Sequence, residues 1–195
     1  MGYKNENKIL LILDLDETLV YATDQQIEGE ADFSIFDFQV FKRPFLLEFL
    51  NEIKSDFLIA IWSSASDDYV EEVVKQIIPK NINLEFVWGR SRCTYRRNLI
   101  IDEQGYYDSD PTNHYHYIKP LKKLKRQGYN LNKILIVDDS PHKSKDNYGN
   151  AIYPKAFLGD PDDMELKFLS KYLRSLKNKG NVRSIEKRNW RSQSK

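Results

Sequence analysis

The stretch Lys8-Ile-Leu-Leu-Ile-Leu13, followed at once by Asp14-Leu-Asp-Glu-Thr18, decides the fold. Five consecutive apolar residues leave no polar face. That pattern marks a strand covered on both sides, as in a parallel sheet, rather than the alternation of a half-exposed antiparallel strand. The abrupt change to acids marks its carboxyl end. Asp56-Phe-Leu-Ile-Ala-Ile-Trp62 runs the same way into Ser63-Ser64, and Lys133-Ile-Leu-Ile-Val137 runs into Asp138-Asp139-Ser140-Pro141. Leu84-Glu-Phe-Val-Trp88, ending at Gly89, reads as a fourth strand.

Helical periodicity separates these strands. Pro44 is placed at a first helical position ahead of Phe45, Leu46, Phe49, Leu50 and Ile53. Ser66 with Asp67 and Asp68 caps a second helix bearing Tyr69, Val70, Val73, Val74 and Ile77, which Pro79 stops. A short basic helix is expected from Pro120 to Gly128, and a last one from Asp162 to Leu176. The alternation predicts an α/β fold: a doubly wound, Rossmann-like parallel sheet flanked by helices. Two stretches rich in aromatic and β-branched residues interrupt it. One is 33–41. The other, 92–107, reads as a β-hairpin through Asn98-Leu-Ile-Ile101 and Tyr106-Tyr107, within a small insert spanning about 89–117.

With 30 Lys+Arg against 29 Asp+Glu in 195 residues, the chain lacks the basic excess of a dedicated nucleic-acid binder. Its length and 41% hydrophobic content suit one globular domain, assigned to residues 1–177. From Lys177 on there are seven basic residues and one acid, Glu186, and the apolar pattern ends. Residues 178–195 are therefore expected to form a flexible basic tail, the one segment that would offer a nucleic acid a contact. Cys93 is the only cysteine, so no internal disulfide forms. No apolar run suits a membrane span and no cleavable signal is visible, so the expected setting is cytoplasmic, or nuclear in a eukaryote.

Ligands of open α/β sheets bind outside the carboxyl ends of the strands. This gathers Asp14, Asp16, Thr18, Ser63, Ser64, Asp138 and Asp139 at one edge. Four carboxylates in one crevice repel unless a cation lies among them, and an all-oxygen donor set suits Mg²⁺ with a substrate phosphate. Singly, each acid reads as a solvated strand end. Jointly they read as a site.

The same residues carry a resemblance. Asp14-Leu-Asp-Glu-Thr-Leu-Val20, Ser63 after a second strand, Lys119, and Val137-Asp-Asp-Ser-Pro141 resemble the haloacid dehalogenase superfamily of phosphohydrolases. Lys42-Arg-Pro44 and Tyr117-Ile-Lys-Pro-Leu121 narrow the likeness to its C-terminal-domain phosphatase branch, also called NLI-interacting-factor-like, over about residues 8–176. The resemblance implies Asp14 as nucleophile and Asp16 as general acid and then base. It implies Ser63 and Lys119 as phosphate-stabilising groups. Mg²⁺ would be held by Asp139, the Asp14 carboxylate and the Asp16 backbone carbonyl, with Asp138 acting through water or orienting Lys119. Thr18 would steady the first loop on the substrate side with Ser64, Arg92 and Arg96. The branch often has Thr at the place of Ser63 and Asn at that of Asp139. Both exchanges keep the interacting atom.

The implied activity is that of a Mg²⁺-dependent protein serine/threonine phosphatase, a monomer acting on phosphoproteins or phosphopeptides. A small insert in place of a large cap leaves the crevice open to a bulky substrate rather than a small metabolite. A receiver domain also pairs acids with a phosphorylated Asp, but carries its acid pair first and its single acceptor Asp later. A catalytically silent binding module has no need for all of Asp14, Asp16, Lys119 and Asp139. Arg90, Arg92, Arg96 and Arg97 around Tyr95 suit a phosphorylated substrate or a solvated hairpin equally. His114 and His116 lack a third metal ligand, His142 reads as a surface residue, and Cys93 as inert.

Overall fold

The computed structural model describes residues 2–25, 29–97 and 115–194. Five parallel strands form the main sheet: β1 (Ile9–Leu13), β5 (Phe57–Trp62), β6 (Leu84–Trp88), β9 (Ile134–Val137) and β10 (Ala151–Ile152), in the order β10-β9-β1-β5-β6. Every residue of β1 is buried, because consecutive side chains feed opposite faces. Ile9, Leu11 and Leu13 join one core with Ile59, Ile61, Leu135 and Val137, while Leu10 and Ile12 join another with Ala60, Trp62, Ile134 and Ile136. The two-residue strand β10 was not foreseen. Two residues are too few to carry a period.

The first core is roofed by α1 (Leu46–Ile53), α2 (Asp67–Ile77) and α4 (Glu165–Leu176). The second is closed by the short α3 (Lys122–Arg126) with Trp88, Cys93 and Tyr129. Helix α1 starts two residues after Pro44, because Phe45 takes a left-handed backbone (φ 65°) and turns the chain before the helix begins. Ser66 stands at the start of α2 without a side-chain capping hydrogen bond.

The stretch 33–41 divides into β3 (Phe33–Ile35) and β4 (Phe38–Lys42) around Phe36 (φ 52°), and β4 also pairs with β2 (Val20–Thr23) in a small antiparallel sheet. The second insert pairs β7 (Thr94–Arg97) with β8 (Tyr115–Ile118). The expected hairpin strands at 98–101 and 106–107 lie outside the described residues, as does His114.

The tail corrects the sequence expectation. Val182, Lys187, Trp190 and Ser194 are buried, and Val182 and Trp190 belong to the core beneath α4. Lys187 Nζ donates to the carbonyls of Gly149, Val182 and Ile185 at 2.6–2.8 Å, and Trp190 Nε1 donates to the Tyr153 carbonyl at 3.1 Å. Its cations serve as anchors: Arg191 pairs with Glu165. Among the described residues, no helix is long and apolar enough to cross a membrane.

Candidate active site

Strand order reverses at β1: the chain passes from β1 to β5 and β6 on one side, then crosses to β9 and β10 on the other. A crevice opens at such a point, and here the ends of β1, β5 and β9 deliver Asp14, Ser63 and Asp138. The loop after β1 is reversed by Glu17, whose φ of 60° is costly for a residue with a Cβ. Its backbone is clamped on both sides, Glu17 N–H to the Val20 carbonyl and Phe157 N–H to the Glu17 carbonyl, each at 2.7 Å. Arg43 adds a buried strut, donating to the Thr18 carbonyl at 3.0 Å, the Lys155 carbonyl at 2.8 Å and both carboxylate oxygens of Asp163 at 2.8 Å.

Lys119, entirely buried, bridges Asp14 Oδ1 at 2.8 Å and Asp138 Oδ2 at 2.7 Å. Asp14 Oδ1 also accepts the Leu15 N–H at 2.9 Å. Burial pushes Asp14 toward its neutral form, but Lys119, Lys143 and these hydrogen bonds outweigh it and hold the carboxyl below its ordinary range. Asp138 moves the other way, raised by burial and by the charge of Asp14.

Asp16 faces different neighbours. Its Oδ1 accepts from Tyr69 Oη at 2.8 Å and its Oδ2 from Ser63 Oγ at 3.2 Å. Burial first, then the charge of Asp14, raises its proton affinity above that of an ordinary Asp, against the opposing pull of the two hydrogen bonds. Two carboxyls two residues apart are thus driven in opposite directions, one toward its ionised form and the other toward its protonated form. Tyr69 was read from the sequence as a core residue only; its hydroxyl supplies this second role.

Asp14, Asp138 and Asp139 each present an oxygen, all within 4.8 Å of one another. An all-oxygen set of this charge fits a hard divalent cation. The side chain of Asp16 lies outside that cluster. Asp139 is fixed by Thr18, whose hydroxyl donates to Asp139 Oδ1 at 3.3 Å and accepts the Asp139 N–H at 3.2 Å, and by Ser140, which donates to Oδ2 at 3.0 Å. Thr18 is fully buried and positions this acid rather than facing substrate. Lys143 was missed altogether. It follows Asp-Asp-Ser-Pro-His within a 3₁₀ segment, Pro141–Asn150, and its Nζ lies 3.5 Å from Asp14 Oδ2. Burial works against its charge, but Asp14, Asp138, Asp139 and Asp16 together hold the ammonium above the ordinary lysine range.

The profile of the NLI interacting factor-like phosphatases matches residues 9–183. The chain belongs to this family. It is 32% identical over 183 residues to the CTD small phosphatase-like protein 2 of Dictyostelium discoideum, covering 90% of this chain and 29% of that one. It is 25% identical over 189 residues to the human carboxy-terminal domain RNA polymerase II polypeptide A small phosphatase 1, covering 93% and 64%. The chain therefore spans about a third to two thirds of these two relatives. The solved structure of Fcp1, described as an essential RNA polymerase II CTD phosphatase, shares the fold with a TM-score of 0.64 at 15% identity, over 90% of this chain and 63% of that one.

In this NLI-interacting-factor-like domain Arg92 and Arg96, expected on the substrate side, have partners within the chain. Arg92 lies over the Trp88 ring at 5.1 Å, on the second core, and Arg96 pairs with Asp146 at 3.1 Å. Arg90 reaches the loop that follows β5. Its Nε donates to the Ser64 carbonyl at 2.9 Å, so Ser64 contributes through its backbone. With Asp16, Ala22, Phe36, Phe38 and Tyr69, Arg90 lines a cleft of about 280 Å³. His116 meets exposed His142, with ring centroids 5.8 Å apart. Cys93 is buried behind Ser63, and burial pushes its thiol up, away from the reactive thiolate.

Proposed function

We propose that this chain is a Mg²⁺-dependent phosphomonoesterase that hydrolyses phosphoserine or phosphothreonine in proteins through a covalent phosphoryl-Asp14. The opposed proton affinities of Asp14 and Asp16, set by Lys119 on one side and by burial on the other, carry this reading. Family membership supports it.

Oδ1 of Asp14 is held by Lys119 at 2.8 Å and by the Leu15 N–H at 2.9 Å, whereas Oδ2 has the looser contact to Lys143 at 3.5 Å, so Oδ2 is the atom assigned to attack. As the Oδ2–P bond forms and the ester P–O bond breaks, Asp16 gives its proton to the departing serine or threonine oxygen. In the second step the ionised Asp16 takes a proton from water, whose oxygen attacks phosphorus and releases inorganic phosphate and the Asp14 carboxylate. The Ser63 hydroxyl, now on Asp16, is the donor placed for a phosphoryl oxygen, and Lys119 balances the charge accumulating on Asp14. Asp14, Asp138 and Asp139 would hold Mg²⁺, which when bound neutralises phosphoryl charge as a Lewis acid.

The cleft beside Asp16 suits a peptide. Phe36 is 66% exposed and Phe38 40% exposed, both at its rim, where an apolar residue next to the phosphorylated one would bury them. The test is hydrolysis of an aryl phosphate and of phosphoserine and phosphothreonine peptides, in Mg²⁺ or in EDTA. Expected are metal-dependent turnover, loss of it in Asp14→Asn and Asp16→Asn, and preference for peptides. Full activity of Asp14→Asn would overturn the mechanism.

A further inference from the structure

The site holds two ammonium groups, while the reaction as written uses one. Lys119 is committed: it has no exposed surface and lies under 3 Å from two carboxylates. Lys143 is held more loosely, 3.5 Å from Asp14 Oδ2, and its side chain keeps 17% of its surface exposed. Its backbone is nevertheless fixed beside Lys119, since the Lys119 N–H donates to the Lys143 carbonyl at 2.8 Å and the Lys143 N–H to the Ser140 carbonyl at 3.1 Å. The two cations are therefore built as neighbours on one nucleophile, one for each carboxylate oxygen.

Oδ2 is the oxygen that must be bare when phosphorus arrives, so the ammonium resting on it has to move. A phosphate brings two negative charges into a crevice already carrying Asp14, Asp138 and Asp139, and its oxygens become the strongest acceptors within reach of the displaced group. We propose that Lys143 is a phosphate-binding residue of this site, its ammonium resting on Asp14 Oδ2 until a phosphate ester or inorganic phosphate takes it over. This rests on the phosphatase reading and adds a second cationic ligand for the phosphoryl group.

Titration calorimetry with inorganic phosphate, in Mg²⁺ and in EDTA, tests it on the full chain with Lys143→Met, Lys143→Gln and Lys143→Arg. In whichever condition the unaltered protein binds phosphate, Met and Gln are expected to weaken binding at least about tenfold and Arg to keep it within about threefold. In steady state, KM for an aryl phosphate should rise more than kcat falls. Should Lys143→Met fail to fold, the Gln and Arg pair carries the same comparison. Unchanged phosphate affinity in the neutral variants overturns the proposal, even if their Mg²⁺ affinity tightens. So does equal weakening in all three, which would mean packing rather than charge, or absence of phosphate binding by the unaltered protein in both conditions. Hydrolysis that persists while affinity is unchanged removes Lys143 and leaves the phosphatase reading intact. Charge-dependent phosphate binding without hydrolysis of any ester does the reverse.

Discussion

The Tyr69 hydroxyl donates to Asp16 Oδ1 at 2.8 Å, tying the first turn of α2 to the loop that follows β1. A hydrogen bond to the ionised carboxylate favours that form, so it restrains the rise in proton affinity that burial imposes on Asp16. In Tyr69→Phe that restraint is lost and Asp16 becomes a weaker acid. Since kcat/KM falls as pH rises through the pKa of the proton donor, its alkaline limb should shift to higher pH, with kcat reduced about tenfold. A pH–rate profile of the two proteins checks this. An alkaline limb that stays in place would show that Tyr69 does not set Asp16.

Asp16 also burdens the fold. Its folded pKa lies above the unfolded value of about 3.9. Below the unfolded value both states hold the proton and no penalty exists; the penalty builds as pH rises through the window up to the folded pKa and remains above it. Asp16→Asn should therefore be more stable than the unaltered protein at neutral pH, with the difference vanishing in acid, below the unfolded carboxylate value. Asp14→Asn should be less stable at neutral pH, because Lys119 loses a partner. Urea titrations at both pH values decide.

Arg43 and Asp163 form a two-pronged pair in which the Arg43 side chain has no exposed surface. Replacing Asp163 by Asn strands a buried charge, and the expected cost is about 3 kcal/mol. Burial opposes ionisation of Asp163, but the Arg43 contacts outweigh it and lower its pKa. The pair's contribution is thus present above the unfolded carboxylate value and lost as pH falls through the folded one. Thermal melts of Asp163→Asn against pH should converge with the unaltered protein only in acid.

Trp190 is 3% exposed and lies against Tyr172 of α4, ring centroids 5.9 Å apart. Trp190→Ala should cost about 3–5 kcal/mol. A flexible tail would give no change in melting temperature.

Much of this arrangement could be read in the chain. Ile9–Leu13 announces its burial by lacking any polar residue, and the acids at the ends of β1 and β9 announce the crevice. Lys143 and Tyr69 could not be read so: each lies close in sequence to a strand end, but a lone lysine or tyrosine has the same local pattern whether its polar tip turns to solvent or to a neighbouring carboxylate. The partners of Arg92 and Arg96 were not legible, because a cluster of arginines has the same composition whether it stacks on Trp88, pairs with Asp146 or faces substrate. The tail misled for a related reason. Its cations look solvated in sequence, whereas Lys187 spends its ammonium on three backbone carbonyls, and Val182 and Trp190 are too widely spaced to show a period.

In the proposed mechanism Asp14 carries the phosphoryl group. Asp16→Asn keeps the nucleophile but lacks both the proton donor of the first step and the base of the second; an aryl phosphate, whose phenolate leaves without a proton, still passes the first step, so its adduct should accumulate. The direct measurement is peptide mass spectrometry of this variant after brief exposure to an aryl phosphate and Mg²⁺, quenched in acid. The account predicts a phosphoryl adduct on the peptide containing Asp14, absent in an Asp14→Asn, Asp16→Asn double variant. Turnover by the unaltered protein with no adduct at Asp14, or an adduct at another residue, would contradict it.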